Sequence, residues 1–108
     1  MSSEYVCPVD ELAPDSARKV VLSGVAIAVV RDSAGEVFAL GDLCTHGDIS
    51  LSEGFVEDDT IECWAHGSQF ELATGRPRNL PAFEPVPVFS VEIIDGDVYV
   101  DPAARLDV

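Results

Sequence analysis

Positive charge is what this sequence lacks most. Its 108 residues include six Lys and Arg against 20 Asp and Glu, a formal net charge of -14. Nucleic-acid backbones and anionic lipid surfaces are bound mainly through Lys and Arg, so neither is an expected partner. An acidic surface suits a basic protein partner instead, because opposed electric fields speed encounter and help orient it. The simpler interpretation is that the charge only confers solubility.

Long apolar runs are also missing. The most apolar segment, residues 20–30, is interrupted by Gly24 and is about half as long as a membrane-spanning helix. The first residues are acidic where a signal peptide would be basic, and they contain no apolar stretch. Three cysteines, an odd number, cannot all pair as disulfides, and a reducing compartment suits thiolates that bind metal. We therefore expect a cytoplasmic protein with no membrane contact.

Sustained helical periodicity is absent, and short β-type segments alternate with turn signals. The predicted strands cover residues 5–7, 19–22, 25–31, 36–40, 54–57, 60–63, 69–72, 89–93 and 98–100. A helical turn is predicted after the first strand, which Pro8 is expected to stop. Ser23-Gly24 and Asp95-Gly96 are predicted to turn hairpins, and the strands within residues 19–40 are predicted to be three antiparallel strands in series. Residues 76–87 contain four prolines and are predicted to form a stiff loop. The pattern indicates one all-β domain spanning residues 1–108, a sandwich or barrel of roughly eight to ten strands.

The rarest residues are grouped into two pairs, Cys44-x-His46 and Cys63-x-x-His66, with 16 residues between them. Thiolate and imidazole together select zinc, iron–sulfur or copper. The four could hold one zinc ion, or two cysteines could hold one iron and two histidines the other iron of a [2Fe–2S] unit. Zinc fingers usually pair Cys with Cys and His with His, whereas each pair here mixes the two types. A binuclear centre is favoured, and a single zinc ion remains the alternative.

Three stretches carry a family resemblance: CTHGDISLSEGF (44–55), IECWAHGSQFELATGRPRNLP (61–81) and VFSVEIIDGDVYVD (88–101). With the two ligand pairs, they resemble the Rieske [2Fe–2S] proteins. More narrowly, they are similar to the Rieske ferredoxins of bacterial aromatic-ring dioxygenases, such as the biphenyl and toluene systems. The resemblance runs from about residue 5 to residue 101.

The resemblance implies one Rieske [2Fe–2S] cluster. Cys44 and Cys63 would ligate its inner iron, and His46 and His66 its outer iron. A cluster-binding subdomain of two hairpin loops, about residues 43–82, would project from a β-sandwich or barrel base. Four further residues are expected close to the cluster: Gly47, Gly67, Ser68 and Pro81.

The resemblance also implies a function. Such a protein is not an enzyme; it carries single electrons from an NAD(P)H-dependent flavoprotein ferredoxin reductase to a terminal Rieske non-haem iron oxygenase in aromatic hydrocarbon catabolism. A shuttle of this kind is expected to be monomeric. Two alternatives remain, the small Rieske subunit of an assimilatory nitrite reductase and a structural zinc-binding adaptor.

Departures from the wider superfamily predict a low reduction potential. High-potential Rieske proteins have an additional disulfide, and Ile49 and Ala65 stand at the corresponding positions here. Ser68 is present, but Phe70 lacks the hydroxyl that a tyrosine would donate to cluster sulfur. Fewer donors stabilise a reduced cluster less, so we expect a potential of roughly -150 mV. Cys7, far from the ligand pairs, is predicted to be a core residue.

Overall fold

The computed structural model describes residues 3–42, 50–57, 59–64, 67–78 and 85–105, apart from the side chain of residue 104. Within these ranges the chain forms nine strands: β1 (Glu4–Pro8), β2 (Ser16–Leu22), β3 (Val25–Arg31), β4 (Val37–Gly41), β5 (Phe55–Glu57), β6 (Thr60–Glu62), β7 (Gln69–Glu71), β8 (Val88–Ile94) and β9 (Asp97–Arg105). Two short 3-10 turns are added, Val9–Glu11 and Leu51–Glu53. The predicted all-β fold class is confirmed.

Six strands form the base sheet, in the antiparallel order β1-β9-β8-β4-β3-β2. Consecutive strands β2, β3 and β4 are neighbours, as predicted. Ser23 and Gly24, between β2 and β3, have φ values of 51° and 80°. Asp95 and Gly96, between β8 and β9, have 52° and 80°. Two successive positive φ values suit the tight hairpin turns that match strand twist, so short-range sequence chemistry fixes both hairpins.

A second sheet of three strands, in the order β5-β6-β7, lies within residues 55–71. Its central strand pairs Ile61 with Val56 on one side and with Phe70 on the other. Ile61 and Phe70 are fully buried, so this row of side chains forms the inner face of the small sheet. The small sheet thereby presents a core-facing side, and Cys63 directly follows its central strand.

Strand β3 is buried on both faces and separates two core clusters. Ala28 and Val30 point into one cluster, which also contains Leu51, Ile61 and Cys63. Ile27 and Val29 point into the other, together with Leu12, Phe89, Val98 and Cys7. This double burial explains why β3 appears in the sequence as an uninterrupted apolar run.

Cys7 is 3% exposed, which confirms its predicted place in the core. Burial raises the pKa of the Cys7 thiol above its ordinary value. A raised pKa keeps the thiol protonated and poorly nucleophilic near neutral pH.

Several boundaries differ from the sequence-based prediction. Strand β2 begins at Ser16, three residues early, and β9 continues through Pro102 to Arg105. Pro8 was expected to stop β1 but is its last residue, paired with Asp97. The position is tolerated because β1 is an edge strand, where a missing N–H costs little. The described residues contain no helix long and apolar enough to cross a membrane.

Candidate metal centre

The structure describes part of the predicted site. Cys44, His46 and His66 lie outside the described residues, as do Gly47 and Pro81. Cys63, Gly67 and Ser68 are described. Within the described ranges, no three His, Cys, Asp or Glu side chains gather in a metal-binding group. The structure shows the surroundings of Cys63 and the residues that flank the two predicted ligand pairs in the chain.

The second predicted ligand pair lies in the chain between β6 and β7, which pair antiparallel. Cys63 directly follows β6, and its side chain is fully buried in the core cluster that contains Ile61 and Phe70. The Cys63 N–H donates to the Ser68 carbonyl (2.8 Å), and the Gly67 N–H donates to the Cys63 carbonyl (2.9 Å). These two hydrogen bonds close the loop and fix where the Cys63 side chain enters the core.

Gly67 supplies the turn that this loop requires. Its φ is 73°, in the left-handed region that costs a residue with a side chain about 1–2 kcal/mol. Ser68 follows with its side chain fully buried, so its hydroxyl is on the protein interior side of the loop.

The first ligand pair lies in the segment between β4 and the second 3-10 turn. Asp42, at the end of β4, is 1% exposed. Its carboxylate accepts hydrogen bonds from the Ser50 hydroxyl and from the Ser52 N–H (3.0 Å). Sequence reasoning missed this residue. The available sequence signal was a single Asp directly after an apolar strand, with serines eight and ten residues later.

An ion-pair group supports the small sheet from outside. The Arg78 guanidinium donates to Asp59 (2.8 Å) and to Glu71 (3.2 Å). The Thr74 hydroxyl donates to Glu71 as well (2.8 Å). The hydrogen bonds that Glu71 accepts from Thr74 and Arg78 lower the pKa of Glu71, and the hydrogen bonds that Arg78 donates to Asp59 and Glu71 raise the pKa of Arg78. Arg78 thus ties the turn before β6 to the chain that follows β7.

Two large aromatic side chains are exposed near the second pair. Trp64, directly after Cys63, is 51% exposed, and Phe55 in β5 is 59% exposed. As the only Trp in the sequence, Trp64 is equally suited to a plain packing role or to a functional one, either shielding the cluster or contacting a partner. Its exposure argues against a plain packing role. The chain passes from fully buried Cys63 to half-exposed Trp64 in one residue, so this part of the site is close to the surface.

The described residues fit a buried iron–sulfur cluster. Cys63 offers a soft thiol ligand in an apolar, water-excluding core. The Rieske [2Fe-2S] domain family matches residues 2–90. The chain belongs to this family, and the predicted cofactor, a Rieske-type [2Fe–2S] cluster, is confirmed.

Its curated relatives include ferredoxins of dioxygenase systems. The ferredoxin CarAc of Metapseudomonas resinovorans is 41% identical over 95 residues, which cover 88% of this chain and 89% of the relative. The 3-phenylpropionate/cinnamic acid dioxygenase ferredoxin subunit of Photorhabdus laumondii is 42% identical over 101 residues, covering 93% and 94%. The predicted role, a ferredoxin that transfers electrons rather than an enzyme, is confirmed.

Solved structures agree in fold over almost the whole chain. A chain of the complex of reduced oxygenase and oxidised ferredoxin in carbazole 1,9a-dioxygenase gives a TM-score of 0.90 at 38% identity, covering 97% of both chains. The ferredoxin of carbazole 1,9a-dioxygenase from Nocardioides aromaticivorans gives 0.89 at 30% identity, covering 94% of this chain and 99% of the other. The predicted Rieske-type fold is confirmed.

Proposed function

We propose that this protein carries single electrons from an NAD(P)H-dependent flavoprotein reductase to the terminal oxygenase of an aromatic-ring dioxygenase. The observation that carries the proposal is the match over 97% of both chains to a chain of an oxygenase–ferredoxin complex. The curated relatives support it, because they are ferredoxin components of such systems at 41% and 42% identity.

We further propose the ligands. Cys44 and Cys63 would hold the inner iron, and His46 and His66 the outer iron, within a cluster-binding subdomain of about residues 43–82. The full burial of Cys63 supports its place on the inner iron. Gly47, Gly67, Ser68 and Pro81 are proposed as neighbours of the cluster.

The protein's own residues would act by excluding water and by bringing the redox centre to the surface. The bound cluster supplies a one-electron couple. Buried Ile61 and Phe70 would exclude water from the Cys63 side of the site. Fewer water molecules would then have to reorient when the cluster gains or loses an electron. His46 and His66 would form the edge through which electrons enter and leave. Half-exposed Trp64, two residues before His66 in the sequence, supports a surface position for this edge.

A cytoplasmic, monomeric carrier is proposed with this function. The reducing cytoplasm keeps thiolates available for metal. A small monomer would alternate between two partners that use the same exposed edge.

The test compares two buried cysteines. Protein purified without oxygen and then reduced is expected to show an EPR spectrum with the low average g of His-ligated [2Fe–2S] clusters. Cys63→Ser should lose this signal and its iron, whereas Cys7→Ser, equally buried but in the other core cluster, should keep both. The wild-type protein should then support turnover when it is mixed with a ferredoxin reductase and an aromatic-ring oxygenase. A colourless protein holding one zinc ion would refute the proposal.

The nitrite reductase alternative has one observation in its favour. A protein from Mycobacterium tuberculosis, assigned as the small subunit of an NADH-dependent nitrite reductase, gives a TM-score of 0.85, but at 25% identity. The ferredoxin relatives are more similar to this chain. Co-purification with a sirohaem protein, without electron delivery to an oxygenase, would favour the alternative.

A further inference from the structure

Asp42 is a charged side chain held almost completely out of solvent, at the point where the base sheet leads into the first ligand segment. It is 1% exposed. Buried carboxylates are rare in proteins and persist where hydrogen bonds replace their water. Asp42 has such partners on both its side chain and its backbone, and three of the four hydrogen bonds reach residues beyond the ligand segment in the sequence.

Three of its hydrogen bonds reach residues 50–52. The Ser50 hydroxyl donates to Oδ2, the Ser52 N–H donates to Oδ1 (3.0 Å), and the Leu51 N–H donates to the Asp42 carbonyl (2.5 Å). The fourth runs back into the base sheet, from the Asp42 N–H to the Ala26 carbonyl (3.1 Å). Asp42 therefore joins β3 to the 3-10 turn Leu51–Glu53.

These contacts join the two ends of the segment 43–49, which contains Cys44 and His46. The far end is itself anchored, because Leu51 is fully buried in the core cluster that contains Cys63 and Ile61. A shift at Asp42 would thus displace the first ligand pair relative to the core that holds Cys63.

We propose that Asp42 is a positioning residue, which fixes the ends of the first ligand segment and thereby determines how firmly the cluster is retained. The proposal rests on the proposed ligands Cys44 and His46. It concerns the hydrogen-bond geometry of the Asp42 carboxylate, with one oxygen for the Ser50 hydroxyl and one for the Ser52 N–H.

Two substitutions test whether the hydrogen bonds of Asp42 matter, and not only the presence of a polar side chain at this buried position. Asp42→Ala removes both acceptors and leaves the Ser52 N–H without its partner. Asp42→Asn can keep one oxygen on the Ser52 N–H while its amide donates to the Ser50 hydroxyl oxygen. The Ser50 hydroxyl hydrogen can then turn to the Ser52 hydroxyl, 2.9 Å away. Asn therefore preserves the connection, and Ala does not.

Asp32 provides a matched control. It is also largely buried (9% exposed), and its Oδ1 accepts the Glu36 N–H (2.8 Å) in the turn between β3 and β4. That turn lies at the opposite end of β4 from Asp42, roughly 17 Å along the strand. Asp32→Ala should lower thermal stability as Asp42→Ala does, without acting on the ligand segment.

The experiment measures the rate of iron release from the cluster-loaded protein to a chelator, well below the unfolding temperature. We expect Asp42→Ala to release iron about tenfold faster than wild type, since loss of a buried hydrogen-bond partner has that order of effect. Asp42→Asn and Asp32→Ala should remain close to the wild-type rate. The proposal would be overturned if Asp32→Ala or Asp42→Asn accelerated iron release as much as Asp42→Ala does. If Asp42→Ala does not fold, Ser50→Ala replaces it, with a smaller acceleration expected.

A second measurement separates failure of this proposal from failure of the proposed function. Amide hydrogen exchange at Leu51 and Ser52, in the protein as purified, should be faster in Asp42→Ala than in wild type and Asp42→Asn. Wild-type protein that holds no cluster would defeat the proposed function, while the exchange rates would still test the Asp42 connection. Unchanged exchange in Asp42→Ala would refute that connection.

Discussion

Gly75 and Gly96 have nearly the same φ, 74° and 80°, but very different surroundings. A Cβ added to Gly75 would lie 2.1 Å from the Val86 carbonyl oxygen, whereas no described atom outside its immediate neighbours lies within 4 Å of one added to Gly96. The Val86 N–H also donates to the Gly75 carbonyl (2.9 Å), so the turn after β7 is held against the chain that enters β8.

Replacing each glycine with alanine should therefore give unequal losses of stability. Gly96→Ala should lower the free energy of unfolding by about 1–2 kcal/mol, because only the left-handed backbone is penalised. Gly75→Ala adds a steric clash with backbone and should cost about 2–5 kcal/mol. Urea unfolding of the two variants measures the difference. Equal losses would mean that Val86 moves away freely.

Glu71 gives a pH-dependent prediction. The hydrogen bond from Thr74, with that from Arg78, lowers its pKa in the folded protein. A lowered folded-state pKa means that the carboxylate stabilises the fold above the ordinary glutamate pKa of about 4.3, and that this contribution is lost as pH falls through the folded-state value. Glu71→Gln should therefore destabilise the protein at pH 7 and much less at pH 3.

The matched control is Glu36→Gln, since Glu36 is exposed and no hydrogen bond to its carboxylate is found among the described residues. Its effect on the unfolding midpoint should be small at both pH values. A Glu71→Gln penalty that persists undiminished at pH 3 would show that the side chain acts through packing, not through its charge.

Ile61 stands at the centre of the small sheet and links it to the core below. It pairs with Val56 and Phe70 in the neighbouring strands. Its side chain is fully buried and packs in the cluster that contains Leu51 and Cys63. The small sheet has strands of three residues each, too short to be stable without this shared core.

Truncating this side chain should therefore weaken the sheet as a unit. Ile61→Ala is expected to lower the free energy of unfolding by about 2–5 kcal/mol, through lost burial and a cavity. Val21→Ala, on edge strand β2 where Val21 is 62% exposed, should cost less than about 1 kcal/mol. Chemical denaturation gives both values, and a loss below 1 kcal/mol for Ile61→Ala would contradict a shared core.

Elements defined by local chemistry were predictable from the sequence. The bounds of β3 were predicted without error, because a run of β-branched residues is flanked by turn residues on both sides. Both positive-φ hairpins were anticipated from Ser23-Gly24 and Asp95-Gly96. The continuation of β9 beyond residue 100 was not, since it includes Pro102 and follows a register shift in its pairing with β8.

Parts of the site that depend on distant contacts were not predictable. The four proposed ligands could be selected because Cys and His are rare and grouped here. Asp42 was overlooked because its partners are eight and ten residues away. Arg78 likewise contacts Asp59 across 19 residues, and only the pairing of β6 with β7 brings the two together. Such contacts follow from the fold, and no local pattern encodes them.

At the scale of the whole molecule, the six basic side chains do little to offset the acidic surface. Arg78 binds two carboxylates, Arg18 contacts Glu11, and Arg31 donates to the Val9 and Leu12 carbonyls. Three of the six therefore form contacts within this chain. The net charge of -14 gives the molecule a negative electric field that partners experience. Such a field attracts a basic surface from a distance in low salt and raises the encounter rate.

Electron transfer from a reductase with a basic docking surface should consequently be sensitive to ionic strength. The screening length falls from about 30 Å at 0.01 M salt to about 8 Å at 0.15 M, so the attraction shortens to the range of contact. We expect the second-order rate constant to fall by about tenfold or more over this interval, measured by stopped-flow absorbance of the cluster. Reduction by an uncharged mediator, which feels no such field, should keep a nearly constant rate. A rate constant that stays level or rises with salt for the reductase would show that the acidic surface serves solubility and plays no part in steering.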